Sequence, residues 1–134
     1  MARSEHLPLY KETYDLCLYL EQLVRGFSRY HKCGLGADLR DGARRVLRLV
    51  VRANARRERV GVLLELREQL EELKVLLRLG HDVQAFANFK SFEHAVTLVV
   101  NIARQSEGWL KHQRQGRGQN RQAMPAGPAV PSAP

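Results

Sequence analysis

Arginine is the side chain with the clearest chemical potential in this sequence. The stretch DGARRVLRLVVRANARRER, residues 41–59, contains seven arginines and no lysine. A guanidinium group binds phosphate oxygens through two parallel hydrogen bonds and also stacks on nucleic-acid bases. Valine and leucine interleave with the arginines and make the same stretch as apolar as a protein core. The pattern therefore predicts a helix with one buried face and one strongly cationic face.

Helical geometry separates the two kinds of residue. At about 100° per residue, the apolar positions that fall within roughly 40° of one direction are Leu39, Ala43, Val46, Val50 and Ala53. The arginines from position 44 to 56 fall between about 140° and 260° from Leu39, on the opposite side. We expect this side to bind nucleic acid and name it the arginine face, which consists of Arg40, Arg44, Arg45, Arg48, Arg52 and Arg56.

The arginine face also has a structural interpretation. Its helix contains no acidic residue between Asp41 and Glu58, so nothing on the helix itself balances the charge. Such a face either binds phosphates or pairs with carboxylates from another helix or subunit. The candidates for pairing are Glu65, Glu68, Glu71 and Glu72.

Leucine spacing along the chain predicts an all-α fold. Proline is absent between Pro8 and Pro125, and apolar residues recur at intervals of three and four. A first helix is expected from Pro8 to the CGLG sequence at 33–36, and a second is expected to be capped by Asp38. A third helix is expected to fade around residues 80–87, and a fourth to be capped by Ser91. Short connections then predict an antiparallel up-down-up-down four-helix bundle. Its predicted core contains Leu16, Leu20, Leu23, Val46, Val50, Leu66, Leu70, Leu73, Val96 and Val99.

The composition changes after the fourth predicted helix. Residues 114–134 are rich in glycine, glutamine and proline and contain few large apolar side chains. Such a segment cannot bury enough apolar area to offset the entropy of ordering. We therefore predict a bundle domain at residues 1–113 and a disordered basic tail at 114–134.

Surplus apolar residues beside the predicted core indicate self-association. When the apolar arc of a helix is wider than the core of a single bundle requires, the additional residues often mark a subunit interface. The alternative is that these positions are buried in one thickly packed bundle. The candidate interface residues are Leu47, Val51, Leu98, Ile102 and Trp109.

The overall charge and hydropathy of the sequence limit the class of partner and the cellular compartment. With 22 Lys and Arg against 14 Asp and Glu, the net charge is +8, which favours a polyanionic partner. No apolar run approaches the roughly 18 residues that span a bilayer, and the N-terminus does not resemble a signal peptide. A membrane-surface role is disfavoured because no bulky apolar face adjoins the arginines. The sequence therefore predicts a cytoplasmic protein without a membrane partner.

Residues suited to catalysis are scattered. The sequence lacks a Ser/His/Asp order, a metalloprotease motif and a nucleotide-binding glycine loop. His31 and Cys33 form an isolated H-x-C pair without a second ligand pair at zinc spacing. Cys17 is expected as a free core thiol and Cys33 as a free thiol near a helix end. We predict no metal, no cofactor and no enzymatic activity.

Three segments resemble the accessory variability determinant proteins of diversity-generating retroelements. They are YHKCGLGADLRDGARRVLRLVVRA, LEELKVLLRLGHDV and FEHAVTLVVNIARQSEGWLKH. The family also includes four-helix proteins encoded in ribosomal RNA intervening sequences. The resemblance spans roughly residues 8–113, and its most telling pieces are LEELKVLLRLGHD and EGWLK. Glu107 stands where the family tends to have the first glycine of a Gly-Gly-Trp-Leu-Lys ending.

The resemblance implies a function as well as a fold. Members of the retroelement branch form a basic homopentameric barrel that binds the element's reverse transcriptase and its template RNA. They thereby support mutagenic cDNA synthesis and retrohoming, while the chemistry belongs to the polymerase. The resemblance also leaves a second possibility, a bundle of unassigned function associated with ribosomal RNA intervening sequences.

Overall fold

Within residues 7–123 the chain folds into four long helices and one single-turn helix. The computed structural model describes the backbone of residues 7–123 and the side chains of residues 7–116. The elements are α1 (Pro8–Arg25), α2 (Arg29–Lys32), α3 (Leu35–Ala55), α4 (Val60–Asp82) and α5 (Phe89–Ala123). The long helices pack in the ring α1–α3–α4–α5, which closes because α5 also packs on α1. The predicted antiparallel four-helix bundle is confirmed. Within the described part, none of the helices combines the length and the apolar character that a membrane span requires.

Leucine and valine side chains from all four long helices fill the core. Seven of the predicted core residues have no exposed surface and Leu70 is 1% exposed; the seven are Leu16, Leu20, Val46, Val50, Leu66, Leu73 and Val99. These eight residues were predicted to be buried. Leu23 and Val96 were predicted as well, but they are only half-buried and pack against the edge of the core.

The first helix ends earlier than the leucine spacing predicts. The Gly26 amide donates a hydrogen bond to the Leu23 carbonyl at 3.0 Å and closes α1. The chain then turns so that Phe27 is buried edge-on against Phe86, with 5.5 Å between the ring centroids. Gly36 packs close to the end of α1, where an added Cβ would lie 2.6 Å from Val24 Cγ1. The predicted single helix from Pro8 to the CGLG sequence at 33–36 is therefore wrong, because this close packing needs a turn after Arg25.

The predicted caps of the later helices are also corrected. Asn88, rather than Ser91, caps α5, since its Oδ1 accepts a hydrogen bond from the Ser91 amide at 2.8 Å. Asp38 lies inside the first turn of α3 and not at its cap, because the helix already begins at Leu35. A carboxylate in the first turn still interacts favourably with the positive end of the helix dipole.

The last helix continues beyond the predicted end of the bundle domain. Its backbone remains helical to Ala123, ten residues past Gln113. The first part of the predicted tail therefore belongs to α5, and the rest, residues 124–134, lies outside the described residues. At ~1.5 Å per residue, α5 is about 18 Å longer than the 23-residue α4.

The placement of Leu70 in the core predicts that truncating this side chain strongly destabilises the fold. This side chain is 1% exposed, so Leu70→Ala should lower the free energy of unfolding by about 2–5 kcal/mol through lost burial and a residual cavity. Val75 on the same helix is 67% exposed, and Val75→Ala should change it by less than about 0.5 kcal/mol. Urea titration followed by circular dichroism measures both. Equal effects of the two substitutions would contradict the placement of Leu70 in the core.

Candidate nucleic-acid interface

The arginine face lies on the outer side of α3. Five of its members are exposed, and Arg40 is half-buried. Val46 and Val50, on the same helix, have no exposed surface. Burying the apolar side of α3 between α1 and α4 therefore turns the guanidinium groups outward, as the helical periodicity predicts.

One flank of the arginine face pairs with a carboxylate of α1. Glu21 accepts a hydrogen bond from Arg44 and lies 3.9 Å from Arg40 Nη1. Arg44 also lies 3.5 Å from Asp41 on its own helix. Glu21 was not among the predicted partners, because only the antiparallel register of α1 and α3 brings it beside these arginines. The same register places the Cys17 Sγ 3.3 Å from the Ala43 carbonyl.

The opposite flank pairs more weakly with α4. Arg52 Nη1 lies 3.8 Å from Glu65 Oε1, so one of the four predicted acidic partners is in place. Glu71 instead pairs with Lys74 at 2.7 Å, and Glu72 accepts a hydrogen bond from Gln69 at 3.4 Å. Glu68 makes no ion pair with any described residue. The structural interpretation therefore holds for Arg40, Arg44 and Arg52.

The remaining members keep their charge available. Within residues 7–116, Arg45, Arg48 and Arg56 lie beyond ion-pair distance of every carboxylate. The paired members are also partly exposed, and exposed ion pairs contribute only about 0–1 kcal/mol. A phosphate can therefore replace these carboxylates at little cost. The face as a whole is suited to bind a polyanion.

The groove between α4 and α5 has a volume of about 540 Å³. Arg67 donates two hydrogen bonds to Glu107, at 2.7 and 2.8 Å. These bonds lower the pKa of Glu107 and raise the pKa of Arg67. Lys74, also in this groove, pairs with Glu71. Because its charges are largely neutralised in pairs, this groove attracts a polyanion less than the arginine face does.

The candidate interface residues lie in different environments. Val51 is 38% exposed, whereas Leu47 and Leu98 are half-buried. Trp109 is half-buried beneath Arg59, whose Cζ lies 5.1 Å from the indole centroid. Ile102 has no exposed surface. Its side chain packs in the core of its own bundle, and the role of the other four residues in a subunit interface stays a prediction.

The structure exposes other apolar side chains that sequence reasoning missed. Val75, Leu79 and Val83 are 67%, 48% and 42% exposed and follow one another at four-residue spacing on the outside of α4 and at its end. Tyr14 and Leu18 form a similar pair on α1, with 46% and 51% exposed. The four-residue spacing was visible in the sequence, but it could not be separated from the core pattern of the same helices.

Comparison with known proteins agrees with this architecture. The family model described as bAvd-like matches residues 7–113. The chain belongs to the bAvd-like family. The match covers the long helices except the last ten residues of α5, and it agrees with the resemblance to accessory variability determinant proteins. A comparison with curated proteins gives no significant match.

The thiols of this bAvd-like protein differ in environment. Burial raises the pKa of Cys17 to about 11, and its thiol donates a hydrogen bond to the Ala43 carbonyl. Cys33 is exposed. Among the described residues, His, Cys, Asp and Glu side chains do not gather in groups of three that would hold a metal ion. Since the thiolate is the nucleophilic form, Cys17 is unsuited to nucleophilic chemistry at neutral pH.

This difference predicts the reactivity of the two thiols. In the folded protein at pH 7, Cys33 should react with a disulfide reagent at least about tenfold faster than Cys17, which is protonated and shielded. Cys33→Ser should remove the fast phase, and unfolding in urea should make Cys17 reactive. The absorbance of the released thiolate follows both phases. Two equally fast phases in the native protein would contradict the burial of Cys17.

Proposed function

We propose that this bAvd-like protein is the accessory nucleic-acid-binding protein of a diversity-generating retroelement. It binds template RNA and its cDNA together with the element's reverse transcriptase, and so supports mutagenic cDNA synthesis and retrohoming. Its role is non-catalytic, cytoplasmic and independent of a cofactor. The observation that supports this most is the row of unpaired arginines on the outer face of α3 in a member of this family.

The arginine face suits binding through the phosphate backbone. Each guanidinium that contacts a phosphate releases condensed counterions, which drives association and makes it depend on salt. Phosphate contacts position a nucleic acid without reading its sequence. A protein that accompanies a polymerase along a template benefits from such weak sequence preference.

Self-association belongs to the same proposal, as a ring of five chains. The exposed apolar residues of α1 and α4 support it, since a subunit interface would remove them from water. The antiparallel register that sets Cys17 beside Ala43 also brings Tyr14 level with Leu47 and Val51. A ring would repeat the arginine face around its surface and multiply the phosphate contacts.

The family resemblance also supports an alternative function, a bundle protein associated with ribosomal RNA intervening sequences. Neighbouring genes distinguish the two. A reverse transcriptase gene with a template repeat that matches a variable target gene supports the retroelement role. A ribosomal RNA operon at the same place supports the alternative.

The unpaired arginines provide the decisive binding test. Replacing Arg45, Arg48 and Arg56 together by Gln should abolish most RNA binding at physiological salt while the bundle stays folded. The slope of log affinity against log salt for a single strand should become shallower by about 2, at roughly 0.7 per lost contact. Gel-shift titrations at several salt concentrations measure both effects, with circular dichroism as the folding control.

The matched control removes the same charge elsewhere. Lys11, Lys74 and Arg78 are each paired with a carboxylate of the same helix, at 3.4, 2.7 and 3.7 Å. Replacing these three by Gln also lowers the net charge by three and should leave most of the affinity and the salt slope in place. Equal losses in the two triple variants would show that net charge, and not the arginine face, governs binding.

The proposed ring predicts the mass of the protein in solution. Five chains of 15.3 kDa make about 77 kDa by light scattering at micromolar concentration. Val75→Glu and Leu79→Glu, or Tyr14→Glu and Leu18→Glu, should shift the mass towards the monomer if the altered pair lies in the interface. A mass of 15.3 kDa for the unaltered protein would refute self-association.

A further inference from the structure

The single tryptophan of the chain lies at the end of the bundle where the arginines are densest. Trp109 on α5 is half-buried, and the guanidinium of Arg59 covers its ring at 5.1 Å. Arg59 belongs to the connection between α3 and α4. It lies 50 positions before Trp109 in the sequence, and only the fold brings the two side chains together. Beyond Trp109, the backbone of α5 continues to Ala123 and projects past the start of α4.

Arg59 is held in place but keeps its hydrogen-bonding capacity. Its Nε donates to the Arg56 carbonyl at 3.0 Å, and one side of its guanidinium rests on the indole. No carboxylate of the described residues lies within ion-pair distance of this guanidinium. Its terminal amino groups can therefore bind an anion that approaches the end of the bundle.

Further cations lie at the same end of the bundle. Arg56 and Arg57 are exposed at the end of α3, and neither forms an ion pair with a described residue. Lys111 and Arg114 are exposed on α5, two and five residues after Trp109, where they line a groove with Arg67 and Glu107. The arginine face leads along α3 to the same place. A chain of phosphates that follows the arginine face is thus guided to Trp109.

We propose that Trp109 and Arg59 form a stacking site for an unpaired base of single-stranded nucleic acid. The base stacks on the indole, and Arg59 moves from the ring to the adjacent phosphate. The exchange is favourable because stacking of a base on an aromatic ring contributes more than an exposed cation–π contact, while the guanidinium gains a charge-assisted bond to the phosphate. Duplexes lack a free base face and do not use the site.

This inference rests on the proposed function and adds a base contact to a surface otherwise selective only for phosphates. Proteins that bind single strands commonly combine a cationic track with aromatic side chains that receive bases. The arginine face itself contains no aromatic residue, so stacking depends on a residue that α5 supplies from elsewhere in the sequence. Preference for single strands over duplexes follows from this arrangement.

Because Trp109 is the only tryptophan, its fluorescence reports on the site directly. The full chain is titrated with single-stranded oligouridylate of about 12 nucleotides and with an abasic oligomer that has the same number of phosphates. Anisotropy of a terminal dye measures binding of each oligomer, and tryptophan emission measures stacking. Both oligomers should bind, but only the base-bearing one should quench the emission, because only it places a base against the indole.

Variants test the same site by affinity. Trp109→Leu should weaken oligouridylate binding about tenfold and leave binding of the abasic oligomer unchanged, whereas Trp109→Phe should restore most of the affinity. The emission experiment on the unaltered protein keeps the proposal testable if the leucine variant does not fold.

The outcomes separate this inference from the function on which it rests. If both oligomers bind and neither changes the emission, the stacking site is refuted while nucleic-acid binding stands. If both quench equally, the change comes from phosphate binding alone, and stacking is again refuted. If neither oligomer binds at low salt, the proposed function falls and the stacking site with it.

Discussion

Burial of one side of α3 between α1 and α4 is the constraint on which the rest of the structure depends. Full burial of a Val or Leu side chain contributes about 1.5–3 kcal/mol, and α3 buries Leu39, Val46, Leu49 and Val50. Repulsion between like charges four residues apart costs only about 0.2–0.5 kcal/mol per pair. Apolar burial therefore decides the rotation of the helix, and the arginines must share the opposite side.

The neighbouring helices moderate that concentration of charge without cancelling it. Glu21 of α1 and Glu65 of α4 reach the arginine face from its two sides. Both contacts are partly exposed, so they stabilise the fold only slightly and exchange readily with phosphate oxygens. The outcome is a face whose flanks are paired and whose other members, Arg45, Arg48 and Arg56, remain available for an anion.

The packing of α3 also determines how the chain is arranged at the two ends of the bundle. At one end, Gly36 of α3 approaches Val24 so closely that α1 stops at Arg25 and Phe27 fills the space against Phe86. At the other end, the α3–α4 connection sets Arg59 over Trp109, and α5 continues beyond it. The first end is closed by aromatic packing, while the second carries Arg56, Arg57 and Arg59 together with the only tryptophan of the sequence.

The class of fold and the direction of the arginine face were already determined by the sequence. The 3.6-residue period of apolar side chains is a local property, and it was enough to establish the all-α class, the four long helices and the outward direction of the arginines. The resemblance of three segments was enough for the family. The tertiary structure decided the pairing of Glu21 with Arg44, the burial of Ile102 and the contact of Arg59 with Trp109. These contacts depend on the relative rotation and axial register of different helices, and the periodicity of a single helix contains no information about either.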